Sequence, residues 1–223
     1  LNLIHISNPL EKNKYLKNSS ASKKNEADLA PAHCPAPDDT VQLLYVSAYY
    51  PHKNIEFIPA VAEALRQQDP ERRFEFVVTL PDDEPGLQRL LHDAEARGVG
   101  DCIRNAGRVN LRELIELYRG AHICYMPSLL ETFSATYPEA MALGRPIVTN
   151  DLDFARANCG TAAVYATAND PSAHARAILG LLNDSSEWDA CVRRGKARLA
   201  ELPDARGKYE LYVQAIRATV AEM

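Results

Sequence analysis

No glycine occurs before Gly86, and the 223 residues contain only ten. A dinucleotide fingerprint and a P-loop both need glycines where backbone amides close on phosphate. Neither can therefore follow the first strong apolar run, whose loop reads Ser47-Ala48-Tyr49-Tyr50-Pro51-His52-Lys53-Asn54. That loop also lacks acidic side chains, which excludes the metal-holding pocket of a response regulator, another doubly wound fold. No apolar run approaches the roughly 18 residues a membrane helix needs. The opening LNLIHISNPL lacks the charged start and cleavage site of a secretory signal, so the cytoplasm is the expected compartment. Basic charge is not clustered: 25 Lys and Arg are interspersed with 30 Asp and Glu for a net charge of -5, which excludes a nucleic-acid footprint. The cysteines (Cys34, Cys102, Cys124, Cys159, Cys191) are odd in number and widely spaced. They read as buried free thiols, not as a disulfide framework or metal site. The chain opens on Leu1 instead of methionine, as a fragment or processed product does.

What is present divides the chain near residue 40. Residues 1–40 read as an N-terminal strand and a flexible linker, because 11–40 are poor in large apolar residues and rich in Lys, Ser, Asn, Ala and Pro. Residues 41–223 read as one α/β domain. Strand-like runs at 41–47, 74–80, 101–106, 122–127, 145–150 and 162–166 alternate with helical periods at 56–68, 84–97, 111–119 and 136–143, before a helical tail over 171–222. Leu111, Leu114, Ile115 and Tyr118 mark the apolar face of one of these helices, with Asn110 as its N-cap and Glu113 three residues on. Such alternation predicts a Rossmann-like, doubly wound parallel sheet with helices on both faces, whose ligands bind beyond the carboxyl ends of the strands.

Two junctions carry candidate chemistry. Lys53 precedes a predicted helix and suits a phosphate, although a solvated loop lysine is the plainer reading of the spacing alone. The run 122–127 leads into Glu131-Thr132-Phe133-Ser134-Ala135-Thr136-Tyr137-Pro138-Glu139, where Pro138 suits a first helical turn and Gly144 a helix end. Glu131 then lies in the loop and Glu139 in the opening turn. Carboxylates so placed can flank one ligand, each accepting from a pair of hydroxyls, with amides for a phosphate between them. A sugar joined through diphosphate to a nucleoside has all of these features, though first-turn glutamates also arise simply because they suit the helix dipole. Asp151-Leu152-Asp153 resembles a sugar-nucleotide metal motif but reads as a cap or turn. His122 and Cys124 read as core, and His52 as a loop residue.

These residues resemble glycosyltransferase family 4, in which a Glu, seven residues, Glu motif follows such a strand; here it reads ETFSATYPE, then AMALGRPIVTND. The likeness covers most of 41–200. It implies the C-terminal, donor-binding half of a GT-B enzyme that transfers a sugar with retention, without metal or other cofactor. Glu131 would contact donor-sugar hydroxyls and Lys53 the diphosphate, these two being the catalytic candidates. Glu139 would bind the ribose hydroxyls, amides of Thr132, Phe133, Ser134 and Ala135 would approach sugar and diphosphate, and Val109 and Asn110 would edge the base. Ser47 and Ala48 stand where the family often has glycine and arginine, leaving Ser47 a donor-loop candidate. Ser134 stands where glycine is common.

The resemblance implies a nucleotide-sugar donor as partner, together with an N-terminal acceptor-binding domain that this chain lacks. Peripheral contact with the inner face of the membrane accompanies it for a full-length enzyme. Two other readings stay open: a sugar-nucleotide epimerase of the same fold, and a non-catalytic nucleotide-binding or interaction module.

Overall fold

Parallel strands hidden on both faces demand nearly continuous apolar runs, and the sequence supplies them. The computed structural model describes residues 34–132 and 134–203, with positions 207, 209, 210, 213, 214 and 217 beyond. Six strands, β1 (Val41–Tyr45), β2 (Phe74–Val78), β3 (Ile103–Asn105), β4 (Ile123–Met126), β5 (Ile147–Asn150) and β6 (Ala163–Ala166), form one sheet in the order β3-β2-β1-β4-β5-β6. Every pairing is parallel; Leu43 of β1, for example, is level with Phe76 of β2 and Ile123 of β4. The helices are α1 (Ile58–Gln68), α2 (Pro85–Ala96), α3 (Leu111–Gly120), α4 (Thr136–Ala142), α5 (Asp153–Cys159), α6 (Pro171–Leu182) and α7 (Ser185–Glu201). Packing groups α1 with α2 and α6 on one face, and α4 with α7 on the other. The doubly wound α/β fold expected from the alternation is the fold observed.

Helix boundaries follow local chemistry. Asn110 accepts from the Arg112 and Glu113 amides while Glu113 reaches back to the Asn110 amide, closing a capping box on α3. Asp170 and Asp184 cap α6 and α7, and Pro85 and Pro171 occupy first-turn positions that need no amide. At the end of α4, Gly144 has φ of 65°. Its amide returns to the Met141 carbonyl and that of Arg145 to Ala140, a paired closure that glycine makes without strain.

Several expectations need correction. The run 153–159 is a helix that the apolar pattern did not reveal, because it is seven residues long and only Ala155, Asn158 and Cys159 are buried. The predicted tail is two helices broken at Asn183-Asp184, where the second cap forms; its continuation past 203 lies mostly outside the described residues. Residues 101–102 belong to a 3-10 turn, leaving β3 three residues long. Leu111, marked as part of the apolar face of α3, is 37% exposed. The predicted linker lies outside the described residues up to 33. Cys102, Cys124, Cys159 and Cys191 are buried and Cys34 half-buried, all as free thiols.

A polar chain is threaded through the core behind β4 and β5. Asn150 donates its amide hydrogens to the Pro127 and Ser128 carbonyls at 2.7 and 2.9 Å. Its Oδ1 must therefore accept from His174 Nε2, 2.9 Å away. That leaves His174 Nδ1 as the acceptor for the Tyr125 hydroxyl at 3.0 Å. The network thus selects one neutral tautomer, and burial lowers the His174 pKa to about 4. An unfolded histidine binds its proton near pH 6.5, so the unfolded state gains protons first as pH falls. Stability should decline between about pH 6.5 and 4, by on the order of 3 kcal/mol from this residue once pH lies below both values. Urea unfolding of the parent and of His174→Asn across that interval checks this: the parent should lose the greater stability, and parallel pH profiles would contradict it.

A candidate donor site at the sheet's switch point

Strand order reverses between β1 and β4, so their helices leave toward opposite faces and a crevice opens above the two carboxyl ends. Lys53 comes from the β1 loop, at the end of a 3-10 turn over Pro51–Lys53. It does not abut α1 directly: left-handed Asn54 (φ 55°) and a second 3-10 turn over Ile55–Phe57 intervene. Glu131 comes from the β4 loop. Lys53 Nζ donates to Glu131 Oε1 at 2.5 Å, with side chains 19% and 9% exposed. The two residues are 78 positions apart in sequence, and only the fold unites them.

Polar atoms hold the loops in place. The Tyr45 hydroxyl, at the end of β1, donates to the Lys53 carbonyl at 2.9 Å. Its one proton thus committed, it accepts from Ser128 Oγ on the β4 loop at 2.8 Å. The Leu129 amide adds a bond to the His52 carbonyl at 2.7 Å. Below them, Tyr137 of α4 is bonded to Thr149 Oγ1, whose own proton goes to the Met126 carbonyl. Burial raises the pKa of Tyr45 and Tyr137 well above the phenol range, with the Glu131 charge adding to it, so both remain protonated hydroxyls.

Glu139 sits in the first turn of α4, 8% exposed. Its Oε2 accepts from the hydroxyl of Tyr118 on α3 at 2.9 Å. Tyr118 is 1% exposed, and burial raises its pKa, with neighbouring Cys124 and Glu139 acting in the same direction. Ser134 and Ala135 lie buried at the start of α4, Thr132 is exposed, and Phe133 falls outside the described residues. Asn110 spends its Oδ1 on capping α3, with half-buried Val109 beside it on the same loop. The Ser47 hydroxyl turns to the Ala48 carbonyl, while its amide donates to Thr79 Oγ1.

Sequence reading missed the residues that organise this crevice: Tyr45, Tyr118, Ser128 and Asn150. Tyrosine where a core position would accept phenylalanine was the one available signal, since a buried phenol needs a partner. Among the less promising candidates, Asp151 is held by both Arg156 Nε and Nη2, and Asp153 lies in the first turn of α5. His122 Nδ1 accepts from the Gln42 amide, and exposed His52 stacks on Tyr50. Among the described residues no group of three or more His, Cys, Asp or Glu is arranged to hold a metal ion, and no helix is long and apolar enough to cross a membrane. A cavity of about 160 Å³ between α5 and α7, lined by Cys159, Gly160 and Arg198 among others, lies ahead of the edge strand β6, away from the switch point. Arg198 there is already committed to the Ala157 and Asn158 carbonyls, so that cavity does not compete as a ligand site.

The doubly wound sheet is that of GT-B glycosyltransferases. Sucrose-phosphate synthase from Thermosynechococcus elongatus superposes with a TM-score of 0.69 at 22% identity, covering 84% of this chain and 47% of that one. A UDP-forming α,α-trehalose-phosphate synthase from Burkholderia vietnamiensis gives 0.68 at 18%, covering 80% and 45%. The family model for glycosyl transferases group 1 matches residues 40–184, and the chain belongs to that family. D-inositol 3-phosphate glycosyltransferase 2 of Catenulispora acidiphila is 32% identical over 158 residues, which are 66% of this chain and 36% of that protein. A D-inositol 3-phosphate glycosyltransferase of Salinispora tropica is 29% identical over 190 residues, 82% and 39% respectively. The chain thus spans well under half the length of these curated relatives.

Removing the Tyr45 hydroxyl leaves a buried serine and the Lys53 carbonyl without their partner. Tyr45→Phe should cost about 1–2 kcal/mol in denaturant unfolding and should speed hydrogen exchange at the Lys53 and Asn54 amides. Unchanged exchange there would show that the loop is held by other contacts.

Proposed function

We propose that this chain is the donor-binding half of a glycosyltransferase that takes a nucleoside-diphosphate sugar, UDP- or GDP-linked, and transfers the sugar with retention and without metal. The observation that carries this is the meeting of Lys53 and Glu131 at the switch point, in a chain of the glycosyl transferases group 1 family. In this reading Lys53 neutralises the diphosphate, whose charge grows as the glycosidic bond breaks. Glu131 accepts from donor-sugar hydroxyls and Glu139 from the ribose, with the Glu139 side chain held by Tyr118. Amides of residues 132–135 complete the phosphate side, and Val109 and Asn110 border the base. The composition supports a cytoplasmic setting.

The acceptor is held by a second domain, consistent with the span of this chain relative to its kin. Transfer needs acceptor and donor held in register, and positioning supplies much of the rate. The 223-residue chain should therefore bind nucleotide but give negligible transfer in a product assay. Robust transfer would refute the division of labour.

Calorimetry with UDP, GDP and ADP tests the site. Lys53→Ala should weaken the preferred nucleotide at least about tenfold, the loss of one charge-assisted contact. Glu139→Ala should act in the same direction. Tyr118→Phe removes one oxygen and leaves the ring in place; by loosening the Glu139 carboxylate it should reduce preference for the ribonucleotide over its 2′-deoxy form, which Glu139→Ala should erase. Indifference of the parent chain to all three nucleotides would leave the non-catalytic module as the better reading.

A further inference from the structure

We propose that Glu131 makes the site prefer a loaded donor over the spent nucleoside diphosphate, by competing with the diphosphate for Lys53. The proposal rests on the donor-site reading above. Without a nucleotide, each charge is the other's close partner at 2.5 Å, and both side chains are largely withdrawn from water. A diphosphate arriving at Lys53 must either draw the ammonium away from Glu131 or share a cation that is already neutralised. Glu131 then loses all or part of its donor at 9% exposure, and an under-partnered carboxylate in such a place is costly.

The hydroxyls that organise the crevice offer no substitute. Tyr45 donates to the Lys53 carbonyl, Ser128 to Tyr45, and Tyr137 to Thr149. A donor sugar brings its own hydroxyls and restores hydrogen bonds to Glu131; a bare nucleoside diphosphate brings none at that end. The cost of opening the pair therefore falls on the spent product and is offset for the donor. Once the sugar has left, re-forming the pair helps to expel the diphosphate.

Calorimetry on the chain with UDP, GDP and ADP, and with UDP-glucose, GDP-mannose and ADP-glucose, reads this directly. Glu131→Gln keeps the shape and removes the charge. It should tighten the bare nucleotide about five- to tenfold, the worth of one partly buried ion pair, while leaving the sugar nucleotide no tighter. Glu131→Ala, which removes the carboxylate outright, should move both affinities the same way. Unchanged or weaker binding of the bare nucleotide in both variants would overturn the competition. In a Lys53→Met background the effect of Glu131→Gln should vanish; persistence there would mean direct repulsion and would equally overturn it. No nucleotide binding by the parent, or binding indifferent to Lys53→Met, would defeat the donor-site reading and this proposal together. Weakened binding in Lys53→Met with Glu131→Gln inert would defeat the competition alone.

Discussion

Two loops that leave adjacent parallel strands toward opposite faces of a sheet have no reason to stay together, and at the switch point they are held by the Tyr45 hydroxyl. It gives its proton to the β1 loop and receives one from the β4 loop, and with the Leu129 amide on the His52 carbonyl it sets the spacing across which Lys53 meets Glu131. The Ser128 that donates to it is in turn fixed from behind, because Asn150 holds the Ser128 carbonyl and is itself oriented by His174. Placement therefore passes from an α6 histidine to the β4 loop through obligatory donor and acceptor roles. Precise placement of charged groups on rigid elements is what binding a diphosphate demands.

Much of the fold was legible because its signals are local. Each of the six strands overlaps an apolar run, and the capping box at Asn110 and the turn at Gly144 lie where the side-chain chemistry puts them. Boundaries shifted by a few residues where a 3-10 turn replaced the start of a strand. Helix α5 escaped notice because seven residues show too little of a 3.6-residue period, and its acidic first turn looked like a loop. The site was legible only as separate pieces. Lys53, Glu131 and Glu139 stand out by type and position, but their partners are set by strand order, which periodicity does not encode. The salt bridge from Lys53, and the hydroxyl of Tyr118 on Glu139, both depend on tertiary neighbours.

The placement of buried polar groups adds an argument independent of family likeness. Ser128, Ser134, Glu139, Thr149, Asn150 and His174 are all at most 8% exposed, and they gather around the carboxyl ends of β4 and β5. Apolar side chains of similar size would cost less desolvation at most of these positions. Within β5 the amino-terminal Ile147 and Val148 are fully buried and apolar before Thr149 and Asn150 follow, while Arg145, 8% exposed just ahead of that strand, is occupied with the Ala121 carbonyl. A core selected for stability alone would have no cause to change character along a single strand. One that must hold loop carbonyls and carboxylates in place above it would, and the change falls at the edge where a parallel sheet presents its ligand.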